Sequence, residues 1–502
     1  MALERQIRFL SLGTDSLRKQ LDIPWPLIRS KSAHRQLGAV ERYARDPELD
    51  AKSVAVESHY IDRDFIEDYS VFYSKNLGHI PNYCQRVHFF RLEAKQAEEE
   101  LRRIRQLCDQ AEFRDASRSF SREHYLGFSV IKPLPGCPVG RTVLRCFGSD
   151  TKPGFRRDFG CACDYHVHLM GIPLQVSGLA FQQQDLGVSA CATTALWSAL
   201  QRARELESGT SATPSHITMR ASQYTLPFGR SMPSEGLSLD QMCQAVQSLG
   251  YAPNLFRAEK YEVSRWIMFA AVRSGISPVL ILCREKLAHA VAVAGMKLRW
   301  PHRPADPNNV IDELAADLAA VYVHDDRFGP YMRAEIEERA GSLDLRLRSD
   351  DQSWEETWRL SHILVPMHNK VRLSLSQLRT TALWIAGNFH SRRVNLGMER
   401  VRMEITGWIE RSHSYVESQF EKQNRLPDAA LERLCDRIPL SRYVGVVRLM
   451  AEDVGAIDVL LDTTSTERNL QCLAVIRREA ERPPTTEIAR FVAEKLGCPY
   501  LG

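Results

Sequence analysis

The chain of 502 residues is too long for one ordinary domain, and two or three are expected. Its 44% hydrophobic and 25% charged content is that of a soluble globular protein, and no apolar run reaches the ~18–20 residues that span a bilayer. The formal net charge of +4 is small for this length, which argues against a polyanion-binding protein.

The start carries charges at Glu4, Arg5 and Arg8 and no long apolar segment, so it does not read as a signal peptide. A cytoplasmic protein is expected, with no membrane partner. The 12 cysteines are scattered over the whole chain, a pattern that points to free thiols rather than a disulfide framework.

A first α+β unit is expected over residues 1–150. Segments 86–92 and 125–134 are rich in aromatic and β-branched residues and predict strands, as does 140–147. Between the first two, 92–110 has Ala94, Ala97, Leu101, Ile104 and Cys108 at helical spacing. Arg102, Arg103 and Arg105 then fall on a solvated face of that helix. No chemical motif stands out in this unit.

A second unit is expected over residues 151–335. Residues 163–181 suggest two short strands around a turn at Gly171, Ile172 and Pro173. Helices are predicted at about 190–206 and 237–250, the second closed by Gly250. Strands follow at SPVLILC, AHAVAVAGM and AVYVHD, the last covering 320–325. High charge density over 336–359 reads as a linker. A third, mixed helix and strand unit is expected over 360–502. Its helices are predicted near 376–388, 397–420 and 486–496, and its strands at 443–451 and 457–464.

His289 stands out inside the apolar run AHAVAVAG. A buried imidazole without a partner costs about 1–3 kcal/mol. Two partners are available. Upstream, FQQQDLGVSACATTALWSALQ sets Cys191 in the first turn of a helix, where the dipole and the unpaired N–H groups favour thiolate over thiol. Downstream, VYVHDDRFGP is a strand ending in Asp325 and Asp326. A carboxylate there would fix the imidazole tautomer and stabilise its charged form. Gln184, ahead of the cysteine, can offer an N–H to an oxyanion alongside the Cys191 backbone N–H, with Gln182 and Gln183 competing for that role. His324 would point to the opposite strand face from Asp325 and is not taken as the base.

The order Gln, Cys on a helix N-terminus, His on a strand and Asp at the end of the next strand resembles that of papain-like cysteine peptidases. It is especially similar to the bacteriocin-processing, double-glycine-type branch. The likeness covers about residues 180–331. It implies a papain-like α+β domain; the N-terminal α/β unit and the C-terminal mixed unit that flank it lie outside the likeness. Carried over by position, Cys191 matches the nucleophile, His289 the general base, Asp325 the residue orienting it and Gln184 the oxyanion-hole glutamine. Three departures stand. Gln184 is seven positions before Cys191, one more than the commonest spacing. Ala192 follows the cysteine where many relatives have glycine, and Asp326 replaces a proline often found there.

The resemblance implies thiol-dependent hydrolysis of an amide in a peptide or protein substrate, with no cofactor and no metal. The alternatives are a catalytically inactive peptide-binding module and a deamidating or acyl-transferring relative. The flanking units would select the substrate or bind a regulatory partner. Cys161, Cys163, His166 and His168 have the wrong spacing for a common zinc site, and a strand would put the two pairs on opposite faces. Nucleic acid is not expected, although Arg392, Arg393, Arg400 and Arg402 would be its contacts in the third unit.

Overall fold

The computed structural model describes residues 7–13, 17–21, 31–134, 136–149, 154–185, 190–207, 212–223, 236–300, 311–348, 354–395, 403–420, 426, 428–451, 455–465, 471–477 and 483–501. The architecture is α+β, as the sequence implies. No helix among the described residues is long and apolar enough to cross a membrane.

The N-terminal part is a five-stranded antiparallel sheet whose order follows the chain: Ile7–Ser11, Ser53–Tyr60, Cys84–Phe90, Tyr125–Ile131 and Val139–Leu144. The predicted 92–110 helix is Ala94–Arg105, and its arginines lie on the outer side, Arg102 paired with Glu98 and Arg103 with Glu100. The hairpin Cys163–Leu169 and Ile172–Gly178 turns at Met170–Gly171, both with positive φ, so Ile172 and Pro173 stand in its second strand rather than in the turn. Its apolar face, Val167, Leu169, Leu174 and Val176, shares a core with Phe120, Phe128 and Val130. Cys163 is on that buried side, while His166 and His168 are exposed on the other.

The centre is a closed ring of six antiparallel strands. In order they are Val279–Arg284, Leu287–Trp300, Leu318–Asp325, Gly329–Arg339, Ser342–Arg348 and Glu355–His368, and the last pairs back onto the first with Val279 opposite Leu364. Closing the ring leaves these six strands no free hydrogen-bonding edge between first and last. Period-2 alternation splits the side chains. Leu280, Leu282, Val291, Val293, Leu343, Leu345 and Leu347 fill one core; Val279, Ile281, Ala290 and Ala292 face the helix Cys191–Glu207.

Two expectations fail here. Residues 336–359 are not a linker but carry the end of the fourth ring strand, the whole fifth and the start of the sixth. Charge density concealed the pattern of Ser342–Arg348, where Leu343, Leu345 and Leu347 alternate with polar and charged residues as in a half-buried strand. The predicted boundary at 359/360 accordingly falls inside a strand. The predicted helix at 397–420 is also corrected: Met403–Arg411 is a strand, followed by the short helix Ser412–Ser418, and 396–402 lie outside the described residues.

The C-terminal sheet runs Ile311–Glu313, Met403–Arg411, Tyr443–Ala451, Gly455–Asp462, Cys472–Arg477, Tyr500–Leu501. Its first strand comes from the connection between the second and third ring strands, so the two sheets are interlaced through the chain. The helix Tyr261–Arg273 joins their cores. Trp266 is fully buried and donates its Nε1–H to the Leu375 carbonyl at 3.1 Å, and a Cβ on Gly407 would come within 3.0 Å of its ring.

Candidate active site

The site forms where one end of the ring meets the helix Cys191–Glu207. Cys191 is the first residue of that helix and half-buried; Thr194 N–H already bonds the Ala190 carbonyl at 3.1 Å. The earliest N–H groups of the helix have no intrahelical acceptor, a setting that stabilises negative charge near the helix start. The apolar face Ala192, Ala195, Leu196 and Ala199 holds the helix on the outside of the ring.

His289 stands near the start of the second ring strand and is buried. Its Nε2 is 3.1 Å from Asp325 Oδ2 and 3.8 Å from Asp326 Oδ1, and the Cys191 side chain lies beside the ring. Cysteine, histidine and two acids are thus brought together from three elements. Burial alone would lower the histidine's pKa, but the Asp325 charge, its hydrogen bond and that of Cys191 outweigh it and raise the group to about 10. The imidazolium therefore stabilises the fold below its unfolded pKa, and this contribution is lost as pH rises through about 10.

The two acids differ in their surroundings. Burial raises the pKa of Asp325, yet the His289 charge and hydrogen bond, with Arg327, more than reverse this and hold it well below the usual carboxylate range. Arg327 grips it twice, Nε to Oδ1 at 3.2 Å and Nη2 to Oδ2 at 3.0 Å. The Arg327 backbone N–H also bonds Oδ1 at 2.9 Å, a local turn that fixes the carboxylate. Asp326 has neither oxygen hydrogen-bonded among the described residues, and burial raises it to about 6 against the pull of His289. Asp325 is therefore the acid that can hold the imidazole. His324 faces the other way: Nε2 is 3.0 Å from the Leu179 carbonyl, Nδ1 accepts the Tyr331 N–H at 3.2 Å, and burial lowers it to about 3.

Parts of the site were not visible in the sequence. Arg327 also reaches Glu356 at 3.4 Å, and Glu356 accepts from Trp358 Nε1 at 2.9 Å. The Trp358 ring lies 5.9 Å from the His289 ring, with Arg284 over it. Glu356 and Trp358 come from the segment expected to be a linker. The helix Lys31–Ala44 lies against the acid turn, where the wholly buried Gln36 donates its amide to the Asp326 carbonyl. Gly329 permits that approach: it has φ +132°, and a Cβ there would sit 2.6 Å from Ala39 Cβ.

The three glutamines separate. Gln183 is used by the scaffold; its Oε1 accepts the Val139 N–H and its Nε2 donates to the Gly136 carbonyl, each at 3.3 Å. The next residue but one, Asp185, makes a buried ion pair with Lys132 at 3.7 Å. The N-terminal sheet thereby anchors the segment 182–185. Gln184 is half-buried in that segment, Gln182 is buried with its Nε2 unbonded among the described residues, and 186–189 lie outside the described residues. Alternation in an extended segment puts 182 and 184 on one side and 183 on the other. Gln184→Ala is expected to lower turnover about 10²–10³-fold with folding intact, as for loss of one oxyanion donor. If Gln182→Ala produces that loss instead, the donor is Gln182.

His289, Asp325 and Asp326 also lie close enough to share a cation, but Asp325 faces the imidazole at 3.1 Å and Arg327 occupies the same carboxylate. A cation would compete with both the imidazolium and Arg327. The side chains of Arg392 and Arg393, and Arg400 and Arg402 entirely, lie outside the described residues. No family model and no curated protein matches the chain.

Proposed function

We propose that the chain is a papain-like cysteine peptidase, acting by thiol-dependent amide hydrolysis. The observation that carries this reading is the buried His289 with the Asp325 carboxylate 3.1 Å from its Nε2 and the helix-terminal Cys191 beside its ring. In this reading the Cys191 thiolate attacks the carbonyl carbon of a peptide amide. The Cys191 N–H and a glutamine, taken as Gln184, hold the oxyanion. Imidazolium His289 protonates the leaving amine, and water, deprotonated by His289, releases the acyl group. Asp325 keeps the imidazole oriented, and Arg327 keeps Asp325 in place. Sequence order and the residue types at each position support the resemblance; ring closure around the histidine strand adds a rigid base for it.

Peptide amides of varied sequence, incubated with the protein and with Cys191→Ala, test the reading. Cleavage by the parent chain alone supports a peptidase. Release of ammonia without backbone cleavage makes it a deamidase, and saturable binding without turnover makes it a binding module. For a cleaved amide, kcat/KM is expected to fall above about pH 10 as His289 loses its proton. Asp326→Asn removes a negative neighbour of the imidazolium, so that limb should move to lower pH; a limb that stays in place detaches it from His289.

A further inference from the structure

We propose that Cys472 and Cys498 are a reversible disulfide site in the C-terminal sheet, separate from the catalytic thiol. Their sulfurs are 2.9 Å apart, inside the distance at which two sulfur atoms touch without bonding. Both residues are half-buried, so a small oxidant can reach them, whereas Cys84, Cys137, Cys161 and Cys163 are buried.

The backbone on each side is already fixed. Cys472 opens the strand Cys472–Arg477. Cys498 follows Gly497, whose φ of +65° ends the helix Pro483–Leu496, and its N–H bonds back to the Ala493 carbonyl at 3.0 Å. The chain then runs parallel to the same strand, with Val475 opposite Tyr500 and Ile476 opposite Leu501. Val475 N–H donates to the Pro499 carbonyl at 3.0 Å. This ladder sets the register that brings the two thiols together. Oxidation would tie the end of the C-terminal helix to the sheet edge covalently, closing a loop that contains the whole helix.

The step is thiol–disulfide exchange. One of the two thiols, as thiolate, attacks one sulfur of a low-molecular-weight disulfide such as glutathione disulfide and expels one glutathione thiolate. The other gives up its proton and attacks the protein sulfur of the mixed disulfide, expelling the second. The two protein thiols lose two electrons and two protons in all, and glutathione disulfide is reduced to two glutathione thiols.

The test treats the full chain with glutathione disulfide, blocks free thiols, and maps linkages over all 12 cysteines by mass spectrometry before and after dithiothreitol. The expected result is a 472–498 cross-link that dithiothreitol reverses, and that forms to the same extent in Cys191→Ser. Two results overturn the proposal. In one, Cys472 and Cys498 both stay free while the exposed Cys108 and Cys435 become glutathionylated. In the other, one of the two stops at the mixed disulfide although its neighbour is unmodified. Because the parent chain itself is read, no folding defect of a variant can hide either outcome.

Discussion

Iodoacetamide at about pH 6 is expected to label Cys191 far faster than the other 11 cysteines, and His289→Ala to erase most of that advantage. An ordinary thiol with a pKa near 8.5 is roughly 0.3% thiolate at that pH. An imidazolium beside a sulfur favours the reactive form and speeds alkylation. A thiolate of low pKa is intrinsically less nucleophilic, which reduces the expected rate advantage to about 10–10²-fold. The helix terminus remains in the variant, and its contribution of about 0.3–1 kcal/mol leaves only a few-fold preference. Equal labelling of Cys191 in both proteins would assign the activation to the helix alone and remove His289 from the mechanism. Asp325→Ala should give an intermediate rate, because the imidazole loses the carboxylate that favours its charged form.

The second large effect concerns the ring. A chain cut after residue 335 loses Ser342–Arg348 and Glu355–His368 and the last residues of the strand before them. Val279–Arg284 then lacks one neighbour, and the core loses Leu343, Leu345, Leu347, Trp358 and Leu360. Truncating a single buried leucine costs about 2–5 kcal/mol, against a total stability of about 5–15 kcal/mol. The fragment 151–335 is therefore expected to show no cooperative thermal transition by circular dichroism and no slow amide exchange in 279–298. A sharp transition in that fragment would show that the ring is dispensable and that the earlier boundary is a true one.

The candidate site residues were legible because each violates its local pattern: a histidine in an apolar run, a cysteine at a helix start, two acids at a strand end. Their partners were not. Nothing near Asp325 in the sequence signals Glu356, and Gln36 meets the acid turn only through the folding of the N-terminal helix onto it. The run of charge over 336–359 hides the alternation of Leu343, Leu345 and Leu347, because the polar faces of three ring strands follow one another there. Met403–Arg411 was misread for a related reason: most of the strand is buried, so its two-residue period is blurred. The choice between Asp325 and Asp326 depends on a distance, 3.1 Å against 3.8 Å, that adjacent positions in a sequence cannot encode.

The pairing of Val279 with Leu364 also sets an order of events during synthesis. The cysteine helix leaves the ribosome early, the histidine strand about a hundred residues later, and the strand that closes the ring later still. Distant pairings of this kind are slow to form, since a long loop must close before any contact rewards it. Until then the imidazole has neither a settled strand beneath it nor the Glu356–Arg327 contact that steadies its acid. A growing chain therefore carries the Cys191 helix before the ring that holds His289 beside it is closed. The candidate site is assembled with one of the last steps of folding, when the whole centre is in place.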